Sequence, residues 1–378
     1  MRVLVLDPWG VNGPSKYLNG LVYGLSESAE VYLFTNYYFK KTTNASFQVH
    51  NIFFKLSEKM KNGMARKLIR GAEYIIGYLK IFCFLKKMKE FDVIHINWLL
   101  MYNMDVLFLK RLHRYCKKIV YTAHNVEPHI EGERYKTELD RIYQEVDKIV
   151  LHGEGIKNEF MHIFPKYSEK VYLQHHGADI DVDTKYNISK VPIDIQKKIT
   201  DCHKVYLFIG SLFYNKGIDR VIPFWDKVTK NSLLIIAGKA ENSYKEFYTA
   251  KGNYSGNHIL FLDYYIPDNL LNYLANNADV LLLPYRHASM SGVVFTAADF
   301  SKPIVCTKTG SIHEYVNENM AFIVDNKTDA LQSIIQTIDS NYSKEELKRM
   351  GECLKAHIQD ICNWKNIGKK LVEECYSA

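Results

Sequence analysis

The chain has 378 residues, 47% hydrophobic and 24% charged, the composition of a soluble globular protein longer than one domain of roughly 100–200 residues. A net charge of +7 lacks the scale and the motifs of a nucleic-acid-binding surface, and seven scattered cysteines without metal-ligand spacing predict free thiols in a reducing compartment. Asp7-Pro8 interrupts the apolar run that begins at Val3, so no targeting signal is expected and the predicted location is cytoplasmic. From the N-terminus onward, short apolar runs alternate with helix-length segments, the pattern of βαβ units and a parallel sheet. In the first half strands are predicted over 2–6, 30–35, 93–97, 118–122, 148–151 and 170–173. A second series is predicted over 205–209, 233–237, 259–261, 280–283, 304–306 and 321–324, with the mixed stretch 177–200 as the crossover between the two. The tail 343–376 reads as helix, broken at Asn363, a good cap, and Trp364, a packing anchor.

Polar groups collect where strands end. After the first strand, Gly10 and Gly13 let backbone amides approach a phosphate or sugar at a helix start, or simply form a tight turn. Two glycines three apart do not supply the dinucleotide fingerprint, which argues against a dehydrogenase. Between Lys59 and Lys89 nine Lys or Arg accompany one acid, Glu73, around an aromatic and aliphatic run too short to span a bilayer. This segment suits either an anionic membrane surface or a buried helix with solvated charges at its ends. The segment 121–129 places His124, Asn125 and Glu127 at the C-terminal end of a strand, where open α/β sheets bind ligands. There His124 can donate to a sugar hydroxyl or exchange a proton, and Glu127 can act as a base.

In the second half, Gly210 ends a strand and Lys216 follows in a loop long enough to aim an ammonium at a diphosphate, although a solvated loop lysine would look the same. The run 284–299 passes from a strand end through a small-residue loop into a helix. Ser289, Ser291 and the amides of Gly292 and Val293 can form an anion nest beside Arg286 and His287, or the serines can serve as plain caps.

Taken in order, the glycine turn at 10–13, HNVEPH at 124–129, HGAD at 176–179, GSLFYNKGID at 210–219, AGKA at 237–240, SGVVFTAADFSKPIV at 291–305 and GSIHEYV at 310–316 resemble the GT-B glycosyltransferases of the family 4, group 1 type that build bacterial polysaccharides. The resemblance implies an α/β fold of two Rossmann-like, doubly wound domains facing a cleft. Residues 1–175 would be the acceptor-binding domain, 176–362 the nucleotide-sugar domain, and 363–378 a helix returning to the first. It implies a retaining, metal-free transfer that needs no cofactor, from a UDP- or GDP-sugar to a glycan or a polyprenyl-diphosphate-linked acceptor. Peripheral membrane contact through 59–89 would go with such an acceptor. Catalytic roles are implied for His124, Lys216 and Glu127, and acceptor contacts for Gly10, Asn12 and Asn125. Donor contacts are implied for Gly13, Gly210, Ser211, Gly238, Lys239, Tyr265, Ile266, Arg286, Ser289, Ser291, Gly292, Val293 and Thr296. Two departures stand out. Ser211 follows Gly210 where the family has an arginine, and the usual glutamate pair falls near Ala288 and Thr296. Arg286 is then a candidate substitute cation, and Thr296 or Ser291 a substitute ribose contact. The departures also keep open a non-catalytic partner subunit, beside a nucleotide-sugar epimerase or hydrolase.

Overall fold

The computed structural model describes residues 1–11, 13–42, 46–88, 90–124, 126, 135–178, 184–288 and 291–377, with backbone alone at 13 and 14. The chain divides into two compact units, 1–179 with 362–378, and 180–361.

The first unit carries a seven-stranded sheet in the order β3-β2-β1-β4-β5-β6-β7. Its strands are β1 (Arg2–Asp7), β2 (Glu30–Asn36), β3 (Gln48–Phe53), β4 (Phe91–Ile96), β5 (Cys116–Thr122), β6 (Lys148–Leu151) and β7 (Val171–Leu173), and every pairing is parallel. Its helices are α1 (Gly13–Ser26), α2 (Met64–Leu85), α3 (Tyr102–Leu112), α4 (Lys136–Glu145) and α5 (Glu154–Ile163). Val3 to Leu6 of β1 are fully buried, the continuous apolar burial expected of a parallel strand covered on both faces. β3 is a strand that the periodicity does not announce. It lies at the sheet edge and is only half-buried, so His50 and Asn51, the latter donating to Tyr37 O and Phe39 O, are tolerated in it and blur the apolar run. On α2, Tyr74, Gly77, Tyr78, Ile81, Phe82 and Leu85 fall at helical spacing on one buried face.

The second unit carries a six-stranded sheet in the order β10-β9-β8-β11-β12-β13. Its strands are β8 (Val205–Ile209), β9 (Leu233–Ala237), β10 (Ile259–Leu262), β11 (Val280–Leu283), β12 (Ile304–Thr307) and β13 (Ala321–Val324), again all parallel. Helices α6 (Ile193–Thr200), α7 (Trp225–Val228), α8 (Lys245–Asn253), α9 (Asp268–Asn277), α10 (Val293–Asp299), α11 (Thr328–Asn341) and α12 (Lys344–Ile361) complete it. In each sheet the strand order reverses once, between β1 and β4 and between β8 and β11. The connections leaving the two strands at such a point diverge, which opens a crevice beyond their carboxyl ends. That topology decides where a ligand can sit.

The last α-helix, α13 (Trp364–Lys370), continues as a π-helical turn over Leu371–Tyr376 and belongs to the first unit. The Asn363 side chain caps it, accepting from the amides of Lys365 at 2.9 Å and Asn366 at 3.3 Å. Trp364 is buried in a slot that exists because three facing positions lack side chains. A Cβ on Gly20 would stand 2.0 Å from its indole nitrogen, one on Gly177 2.5 Å from its ring, and one on Gly24 1.9 Å from its carbonyl oxygen. Because the atom facing Gly24 is backbone, α1 and α13 would have to part. Gly24→Ala is therefore expected to lower stability by about 1–3 kcal/mol despite alanine's better helix propensity, measured as a shift in the urea midpoint.

Candidate functional site

In the second unit the site starts from backbone. Gly210 follows β8 with φ +118°, and a Cβ there would meet nothing within 4 Å, so the peptide faces open space. Gly238 follows β9 with φ +152°, and its Cβ would lie 1.9 Å from the Gly210 carbonyl oxygen. Only glycine lets these two strand ends approach so closely. The Gly210 amide donates to Ala237 O and the Gly238 amide to Leu262 O, each at 3.0 Å, which locks the three strand ends together.

Lys216 closes a short 3-10 turn, Tyr214–Lys216, that ends at Gly217 in the left-handed region (φ +64°). A side chain at 217 would run into Pro284 O at 2.2 Å, so the turn is seated on the end of β11. The Lys216 ammonium lies 3.9 Å from the centroid of the buried Tyr285 ring, and the Tyr285 hydroxyl is 3.2 Å from Ser291 Oγ. Burial pushes the Lys216 ammonium down to about 8, so it is mostly charged at neutral pH and weakly solvated. The fold thus brings Lys216 and Ser291 together through Tyr285, which pattern reasoning did not single out. Its only signal was its position at the strand end in the segment around Pro284.

Arg286 sits beside this group but faces elsewhere. It donates two hydrogen bonds to the Asp219 carboxylate, each 2.7 Å, and a third to Tyr214 O at 2.8 Å, while its guanidinium stacks on the Tyr214 ring at 4.2 Å. Burial would raise the Asp219 carboxyl, but the Arg286 and Tyr244 hydrogen bonds prevail and hold it below its ordinary value. Arg286 therefore binds the Lys216 turn to the β11 end, with its charge turned onto Asp219. The carbonyls around it are tied as well: Pro284 O to Arg220 at 2.5 Å, Tyr285 O to Thr307 at 2.5 Å and Arg286 O to Asn326 at 2.8 Å. Ser211 and Lys239 are exposed, the latter 3.5 Å from Asp263; Tyr265 is exposed and Ile266 buried. The Val293 amide is 3.4 Å from Ser291 Oγ, and Thr296 Oγ1 is turned back on Gly292 O at 3.4 Å. Ser289 lies outside the described residues.

In the first unit, β1 and β4 end side by side at the reversal. Asp7 Oδ1 accepts from the amides of Trp9 and Gly10, both at 2.9 Å, and Oδ2 accepts from Asn97 Nδ2 at 2.6 Å. Asn97 then turns its carbonyl to His124 Nε2, 3.0 Å away. His124 must donate through Nε2, which leaves Nδ1 as an acceptor. Its ring stacks on Trp98 at 4.6 Å and meets Tyr17 edge-on at 4.8 Å. Burial and the neighbouring His152, His176 and His95 hold His124 well below its ordinary value, so it is neutral at physiological pH. The sequence reading allowed donation to a sugar hydroxyl; the geometry favours acceptance from one. Gly10 makes the turn possible because a Cβ there would strike Thr35 Oγ1 at 2.0 Å. Asn12, Asn125 and Glu127 lie outside the described residues, and at Gly13 only the helical backbone is described. Asp7, Asn97 and Trp98 were missed, although Asn97-Trp98 directly follows a clear apolar strand.

Burial drives His95 and His176 down to about 3 and His152 to about 4, alongside His124. Unfolded, each imidazole takes up a proton near its ordinary value of 6.5, so acid favours the unfolded chain from there down to about 4. Asp7 and Asp105, both raised to about 6 by burial, oppose this between 6 and 3.8, but they are two against four. The urea midpoint is therefore expected to fall as pH drops from 6.5 to 5; a constant or rising midpoint would contradict these environments.

Two all-parallel α/β units, each gathering its polar groups beyond the strand ends where the order reverses, have the architecture of the GT-B glycosyltransferases. Residues 192–355 match the family described as Glycosyl transferases group 1. Over that stretch the chain is similar to the group 1 glycosyltransferases, and its fold is of the GT-B type. A glycogen synthase of Thermodesulfovibrio yellowstonii is 24% identical over 394 aligned positions, covering 88% of this chain and 78% of that one. Anabaena HepE, solved in complex with UDP-glucose, is similar in fold with a TM-score of 0.70 at 16% identity over 100% of both chains. Sucrose-phosphate synthase from Thermosynechococcus elongatus gives 0.69 at 13% identity, over 100% of this chain and 99% of its own. Among the described residues no group of three or more His, Cys, Asp or Glu could hold a metal ion.

Proposed function

We propose that the chain moves a sugar from a nucleoside-diphosphate sugar to a hydroxyl of a glycan or lipid-linked glycan, with retention at the anomeric carbon and without a metal, in bacterial polysaccharide synthesis. The observation that carries this reading is the Lys216 ammonium, half-buried over the Tyr285 ring. A diphosphate is the chemistry such a cation lacks: two charged oxygens that replace missing water and gain charge as the sugar departs. Ser291 lies within the same group, through the Tyr285 hydroxyl. The bond from the anomeric carbon to the phosphate oxygen breaks, the bond to the acceptor oxygen forms on the same face, and the departing phosphate takes the acceptor proton. Such a route needs no carboxylate nucleophile, which suits Ala288 and Thr296. His124 Nδ1 would accept from a hydroxyl of the transferred sugar. The complex of Anabaena HepE with UDP-glucose supports a UDP-sugar, with GDP-sugars the other choice.

Membrane contact is part of the same proposal. No helix of the described residues is long and apolar enough to cross a membrane. However, α2 exposes Met64, Leu68, Ile76 and Leu79 beside Lys67, Lys80, Lys86 and Lys87. An apolar stripe edged by lysines suits the surface of an anionic bilayer.

Lys216→Ala is expected to cut turnover about 10²–10³-fold and to abolish the thermal shift produced by UDP or GDP, with an unchanged circular dichroism spectrum. Wild-type turnover in that variant would overturn the reading. Because Lys216 loses its proton above about 8, the affinity for UDP should weaken by up to tenfold per pH unit above that point. Titration calorimetry between pH 7 and 9 measures this, and a flat profile would remove Lys216 from the phosphate.

A further inference from the structure

The first unit holds a cavity of about 590 Å³ between the turn after β1 and the N-terminal half of α2, within the size range of small-molecule sites. Its two parts differ in chemistry. The floor is apolar: Phe54, Leu100 and Met101 line it, and the Tyr74 hydroxyl is turned away, donating at 2.6 Å to the buried Asp105. Asp105 is occupied in turn by the Met101 amide at 2.8 Å, so the floor offers a ligand ring and methylene surface.

The rim is cationic. Arg66, Lys67 and Arg70 face one carboxylate, Glu58, which Arg70 reaches at 3.1 Å and Arg66 at 3.5 Å. Glu73 also acts on Arg70, but its oxygens accept from the amides of Leu56 and Ser57, so three positive charges against two negative leave a surplus of one that a ligand can satisfy. The Arg70 guanidinium is held flat between Phe54 at 4.1 Å and Trp9 at 5.3 Å, measured to the ring centroids, and the Arg66 Nε donates to Ser57 O at 2.9 Å. Two guanidinium groups oriented in advance, Arg66 by Ser57, Asn62 and Glu58 and Arg70 by two rings and Glu58, keep further Nη hydrogens for the charge-assisted bonds with which arginine takes up phosphate. Trp9 remains 41% exposed, leaving an aromatic face at the mouth of the cavity.

We infer that this cavity binds a phosphate ester of an apolar alcohol, its phosphate on Arg66 and Arg70 and its chain on the aromatic floor. Such a ligand is the phosphate-bearing portion of a lipid-linked acceptor, an assignment that rests on the acceptor reading above. The exposed Leu68 and Leu79 on the adjoining face of α2 offer the chain a continuing path toward a membrane surface.

The test is calorimetric titration of the full chain with farnesyl diphosphate, inorganic pyrophosphate and farnesol, using UDP binding as a control for folding. Farnesyl diphosphate should bind at least tenfold more tightly than either fragment. The double variant Arg66→Gln/Arg70→Gln should weaken it at least tenfold while UDP binding stays within twofold. Should the double variant fail the folding control, Gly71→Leu decides: a Cβ at 71 has only Met101 Cε nearby, at 3.9 Å, so leucine fills the cavity without altering charge, and it too should weaken binding tenfold. Equal affinity for pyrophosphate, binding untouched by these variants, or competition by UDP would each overturn the proposal. Failure of UDP to bind the wild-type chain would count against the donor reading instead and leave this result standing.

Discussion

A half-buried ammonium with no carboxylate paired to it among the described residues is the constraint around which the second unit is organised. Burial lowers the proton affinity of Lys216, and the face of Tyr285 compensates in part for the lost water. Holding a charge in that condition requires rigid supports, and these are specific. Gly217 permits the turn, the carbonyls of 284 to 286 are each tied to a side chain, and Asp219 and Arg286 neutralise each other beside it. Arg286 is thus matched by Asp219 and Arg220 is held by neutral oxygens of Pro284 and Asn326, while the lysine is left to be matched by a ligand.

The first unit follows the opposite electrostatic plan. His95, His124, His152 and His176 are all kept neutral, and the Asp7 carboxylate is satisfied by two amides and Asn97. A neutral imidazole with a defined tautomer orients hydroxyl groups without attracting phosphate. Charge in this unit is displaced to the rim of α2, where Arg66 and Arg70 share Glu58. A phosphate and a sugar hydroxyl would therefore find separate places to bind.

Much of this was legible locally. Continuous apolar runs marked the strands of both sheets except β3, whose polar residues are tolerated only because an edge strand is half-exposed. Lys216 was legible as a cation placed after a glycine turn. Tyr285, Asn97 and Trp98 were not, because each matters through a neighbour that the strand order supplies: Asp7 bonds Asn97 only because β1 and β4 are adjacent. Arg286 shows the converse, since a cation near a phosphate loop looks available until Asp219 is seen to hold it.

The amino-acid sequence by itself determined the alternation of strands and helices, the glycines that end β8 and β9, and the cap at Asn363, because each depends on dihedral preference or apolar periodicity within a few residues. Tertiary structure alone decided which cation stays unpaired, which tautomer His124 adopts, and that Gly20, Gly24 and Gly177 form a slot for Trp364. The reason is that pairing, desolvation and close approach belong to groups far apart in the chain. Their meeting is set by the order in which the strands assemble, and no local pattern encodes that order.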